Sequence, residues 1–120
     1  MDRVRFINHK GIEILLLDFS GCQAMEIFPI FNSAKSMISS RPHSSLLTLA
    51  DVTGTQVNDT ISQQVRSFTI HNKPYVKASA VVGVEGIKKV ILGKVEIASK
   101  REFREFDTLE QAKDWLVEQK

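Results

Sequence analysis

Leu46-Leu-Thr-Leu-Ala-Asp51-Val-Thr-Gly-Thr-Gln-Val-Asn58-Asp59-Thr60-Ile-Ser62 reads as a buried strand, a short polar turn and the start of a helix. The apolar run ends at an aspartate, Gly54 punctuates the turn, and Asn58 and Asp59 are residue types that cap helices. A helix start gathers unpaired backbone N–H groups, which favour a carboxylate, a phosphate or another anion. The hydroxyl of Thr60 there is either a phosphorylation switch or simply part of the first turn.

The flanking sequence repeats this alternation. Val4 and Phe6 alternate with Arg3 and Arg5, the period of a half-buried strand, and Ile12 to Phe19 forms a second. The intervening His9-Lys10-Gly11 predicts a β-hairpin. Residues 22–40 carry a helical stripe of Ala24, Ile27, Phe28, Phe31, Ala34, Met37 and Ile38. Pro29 interrupts it, which predicts a kink or a helix beginning nearby. After the quoted segment, Val57, Ile61, Val65 and Phe68 mark the buried side of a helix that stops before Pro74. Tyr75 to Gly83 is a fourth strand whose Ala80-Val81-Val82 suits a central position. Residues 87–98 fit either a helix or a hairpin turned at Gly93. Phe103 to Phe106 is a short edge strand, and Thr108-Leu-Glu-Gln111 resembles a capping box opening a last helix. Its inward residues are Leu109, Ala112, Trp115 and Leu116. The order is ββαβαβαβα, an α/β domain with a mixed sheet, an N-terminal hairpin and right-handed crossovers.

Composition narrows the function classes. At 120 residues and 42% hydrophobic, the chain is sized for one domain, residues 1–120, with a core that needs no staples. A net charge of +2 is too small to argue for nucleic acid. Cys22 is the single cysteine, so no internal disulfide forms. No run approaches the ~18 apolar residues of a membrane span, and no signal-peptide core opens the chain. The expectation is a cytoplasmic protein without stable membrane insertion.

Catalytic and metal-binding patterns are sparse. His9, His43 and His71 fall in separate turns or helix ends without metal-ligand spacing, so no metal or other cofactor is expected. Cys22 at a helix start has the reactive-thiol placement, against the commoner buried, inert one. Gly83-Val-Glu-Gly86 sits at a strand-to-helix turn, where glycines make tight turns, and Glu85 opposes a phosphate. The lysines and arginines of the second half are interleaved with acids, as on a solvated face. No nucleophile, base and oxyanion set assembles, so the expectation is a protein that is not an enzyme.

Asp51-Val-Thr-Gly54 after a strand, with Asp59-Thr60 opening a helix eight residues on, resembles the STAS-like domains of sulphate transporters and anti-sigma-factor antagonists. In the antagonists an Asp-Ser-x-Gly motif carries a regulatory serine; Thr60 stands at that position, and Ser62 replaces the glycine. Pro42 to Gly54, Lys73 to Gly86, and Phe106 to Leu116 with Trp115 together look like the bacterial SpoIIAA-like family, grouped in fold with lipid-binding CRAL-TRIO domains. This resemblance implies a helix over 87–98 and a non-enzymatic regulatory or interaction role. Asp51, Thr53, Thr55, Asp59, Thr60 and Ser62 would then form the edge that docks a protein partner. The alternative is a carrier or sensor of a small hydrophobic ligand or lipid, lined by Phe28, Phe31 and Met37. A one-sided apolar helix on a small domain also suits a homodimer.

Overall fold

His9 pairs with Ile12, leaving Lys10 and Gly11 as a two-residue loop, and both have positive φ, 53° and 80°. That backbone twist matches the twist of paired antiparallel strands. The Asn8 side-chain oxygen accepts the Gly11 amide at 3.1 Å and fixes the turn. The hairpin opens a computed structural model that describes residues 3–120. It joins β1 (Val4–His9) to β2 (Ile12–Asp18). There follow α1 (Ala24–Ser39), β3 (Leu46–Asp51), α2 (Asp59–Asn72), β4 (Val76–Val82), α3 (Ile87–Ser99), β5 (Arg104–Phe106) and α4 (Leu109–Val117). The expected ββαβαβαβα order and mixed sheet are the observed ones.

The five strands lie in sequence order, β1 antiparallel to β2 and every later pair parallel. Three right-handed crossovers stepping the same way across a sheet put their helices on one face. Leu15, Leu17 and Leu46 accordingly meet Ile27, Phe31 and Ile38 of α1 and Ile61 and Phe68 of α2. The opposite face is left to α4, where Ala112 and Leu116 close over Ile14, Leu16, Leu47, Leu49, Ala80 and Val82. Strand residues alternate between these two cores, as a period of two requires.

Local boundaries differ modestly from the sequence reading. The first helix starts at Ala24, five residues before Pro29, which lies inside it. Gln23 caps this helix, its amide bonded to Glu26 Oε1 at 3.0 Å, and the Gln56 side chain from the next loop accepts the Ala24 amide at 2.9 Å. Those contacts stabilise the first turn, and burial of Ile27, Ile30 and Phe31 outweighs the one hydrogen bond that proline removes. Residues 87–98 are helical: Gly93 has no positive φ, so it makes no hairpin turn. Thr108 caps α4 by accepting the Gln111 amide at 3.2 Å.

Candidate ligand cavity

Small side chains at the centre of the sheet leave space under its helices. On the α1–α3 face, β3 presents Thr48 and Ala50, and β4 presents Ser79 and Val81. Leucines fill the equivalent positions of β2, but here the roof of α2 and α3 meets an undersized floor. The result is a cavity of about 150 Å³. Leu17, Phe31, Ile61, Phe68, Ile91 and Val95 are among the apolar residues around it. Of the α3 residues facing it, Val95 is buried, whereas Lys88, Ile91 and Leu92 are only partly covered. The outer side of the same helix exposes Ile87, Val90 and Ile97.

One end of the cavity is closed by the segment with which the sequence reading began. Val52, Thr55, Val57 and Ile61 all line it. Their placement follows from hydrogen bonds inside the turn. Asp51 Oδ1 accepts the Thr53 amide at 3.0 Å, Thr55 Oγ1 donates to the Phe19 carbonyl at 2.7 Å, and Asn58 Oδ1 caps α2 through the Ile61 amide at 2.8 Å. Lys88 Nζ reaches the Val52 carbonyl at 2.7 Å and ties α3 to the same rim. Asp51, Thr55 and Ser62 are half-buried, while Thr53, Asp59 and Thr60 face outward. Val52, Thr55, Val57 and Ile61 thus turn toward the cavity, while Thr53, Asp59 and Thr60 of the same segment turn to solvent.

The three aromatic and methionine positions are divided. Phe31 lines the cavity and packs between Phe19 and Phe68, with ring centroids 5.4 Å and 4.7 Å away. Phe28 and Met37 pack against the core on the α1 side and do not line it. An amphipathic stripe marks which residues turn inward; it does not say which of them meets a gap.

The opposite end is polar, and sequence reading did not find it. Thr48 and Ser79 hydroxyls meet at 2.8 Å, and Arg101 Nη2 donates to Ser79 Oγ at 2.6 Å. Arg101 Nη1 donates to the Thr69 carbonyl at 3.0 Å, near the end of α2. Its Cζ lies 4.7 Å from the Phe103 ring centroid. In the sequence Arg101 belongs to a mixed-charge run, so only the partnering of β4 with the α3–β5 connection singles it out.

Other sequence candidates take structural places. Cys22 is buried just before α1, and burial raises its thiol pKa, the reverse of activation. Gly83 lets the β4–α3 turn pass against Thr53. His9 Nε2 lies 2.7 Å from Asp114 Oδ1, and Glu110 completes a group whose ligand atoms fall within 4.8 Å of one another. Lys10 Nζ already sits 3.0 Å from the same Asp114 oxygen and supplies the neutralising charge. A polar groove of about 460 Å³ between Gly83, Glu85, Glu105 and Asp107 lies at the carboxyl edge of the sheet. None of the protein-family models, curated proteins or solved structures compared with the chain matches it.

Proposed function

We propose that this chain is a non-enzymatic regulatory domain that binds a small hydrophobic molecule and presents its Asp51–Ser62 edge to a protein partner. The observation that carries this reading is the cavity of about 150 Å³ under α2 and α3, lined mostly by apolar side chains. A space of that size, about 150 Å³, accepts benzene in a protein core, so the occupant is a small molecule and not a whole lipid. The coupling to a partner rests on Val52, Thr55, Val57 and Ile61, which face the cavity on the same short segment whose Thr53, Asp59 and Thr60 face solvent. Occupancy would alter the packing of that segment, and the outer hydroxyls and carboxylates would carry the change to the partner. The STAS-like resemblance supports a regulatory edge at this place, with Thr60 as its phosphoacceptor.

Titration of the protein with benzene, followed by amide and methyl NMR, tests the reading. The expected result is saturable shifts at Ala50, Ile61 and Val95 together with shifts at Thr53 and Thr60. Ala50→Leu fills the space from β3 and should abolish them while the protein remains folded. Shifts in Ala50→Leu equal to those of the unaltered chain would remove the cavity as the binding place.

A further inference from the structure

The polar end of the cavity is a cation without a counter-ion. Arg101 carries five N–H donors, of which Ser79 Oγ and the Thr69 carbonyl take two. Among the described residues no carboxylate lies within 4.0 Å of its guanidinium. The charged residues lining the cavity are Arg101 and Lys88, both cationic, with no aspartate or glutamate. Arg101 is half-buried, and that burial, with no anion beside it, lowers its pKa to about 10. The side chain is still protonated at neutral pH, so the imbalance persists there.

A second group points the same way. Asn72 lines the cavity and is 3% exposed. Its side-chain oxygen meets His71 Nδ1 at 2.9 Å, and its amide nitrogen, to which no described residue bonds, is open to the space around it, since no buried side-chain nitrogen or oxygen among the described residues lacks a partner. N–H groups of Arg101 and Asn72 that no described residue bonds thus border the same largely apolar space.

From these placements we infer that the occupant is a small carboxylate with an apolar body, its carboxylate held by Arg101 and its body lying against Ile61, Phe68 and Val95. The inference rests on reading the cavity as a ligand site and adds the chemistry of the ligand. A guanidinium fork matches a carboxylate in two parallel hydrogen bonds and fixes its orientation. Lys88 is the weaker anchor. Its Nζ is engaged by the Val52 carbonyl, and it lies at the first turn of α3, roughly 17 Å of helical rise from Ser99, after which Arg101 follows. The volume limits the body to about one benzene ring, so benzoate and hexanoate are suitable probes.

Calorimetric and NMR titrations at pH 7 compare benzoate and hexanoate with the uncharged benzyl alcohol and 1-hexanol. The acids should bind at least about tenfold more tightly and should shift the Arg101 side-chain N–H and Asn72 amide resonances. In Arg101→Met the preference for the acids should vanish while the alcohols still bind, and Lys88→Met should retain most of it. Equal affinity for acid and alcohol in the unaltered protein overturns the inference and leaves the cavity reading standing. Failure of all four probes to shift Ala50, Ile61 or Val95 overturns both. An acid preference undiminished in Arg101→Met overturns the assignment to Arg101. Should that variant not fold, the unaltered chain decides alone: an acid preference without movement of the Arg101 N–H resonances rejects the assignment.

Discussion

Gly83 stands so close to Thr53 that a Cβ on the glycine would lie 2.5 Å from the Thr53 amide nitrogen and 2.6 Å from its Cα. Two turns, one after β3 and one after β4, cross there at the carboxyl edge of the sheet. Gly83 also has φ +90°, a conformation that residues with a side chain rarely adopt. Gly83→Ala should therefore destabilise the protein by about 3 kcal/mol, combining backbone strain with a clash that no flexible side chain can relieve. Urea denaturation measures it. A cost within about 0.5 kcal/mol would contradict the close approach.

Gly93 gives the opposite expectation. It lies inside α3 without positive φ, and a Cβ there would meet nothing within 4 Å. Gly93→Ala should stabilise the fold by about 0.5–1 kcal/mol, because alanine loses less backbone freedom in a helix. The same denaturation series reads the gain, and a loss would mean that α3 is not helical at this point.

At the start of α2 two neighbouring polar residues should separate cleanly. Asn58 caps the Ile61 amide, so Asn58→Ala should cost about 1 kcal/mol. Thr60 is exposed and its hydroxyl makes no hydrogen bond among the described residues, so Thr60→Ala should change stability by less than about 0.5 kcal/mol. Comparable losses in the two variants would show Thr60 to be a structural residue and weaken its proposed role as a phosphoacceptor.

The hairpin and α4 are linked by a pH-dependent contact. Hydrogen bonds from His9 and Lys10 hold the Asp114 carboxyl below its ordinary pKa. A depressed carboxylate adds stability above its unfolded pKa, near 3.9 for aspartate, and the addition is lost as pH falls through the folded value. Asp114→Asn should thus have a lower Tm than the unaltered chain at pH 6, with the difference shrinking towards zero in stronger acid. A difference that stayed constant from pH 6 downward would exclude this contact as its source.

Much of the architecture was legible in the sequence because its signals are local. Lys10-Gly11 between two strand-period runs specifies a hairpin, Asn58 specifies a helix start, and Pro74 specifies a helix end. Pro29 was harder to place, since the capping by Gln23, Glu26 and Gln56 that secures the first turn partly comes from a distant loop. Residues 87–98 left two patterns open, and the structure resolves them as α3 packed beside α2.

The sequence by itself determined the element order outside residues 87–98, and the strand–turn–helix segment from Asp51 to Ser62. Periodicity and turn chemistry act over a few residues and can be read along the chain. Only the tertiary structure decided where the core is incomplete. Thr48, Ala50 and Ser79 are small, unremarkable residues until parallel pairing sets them side by side beneath α2 and α3. Arg101 is one cation in a charged run until Ser79 and Thr69 draw it to the end of that space. A cavity and an uncompensated charge are properties of several chain segments meeting, and no single segment carries them.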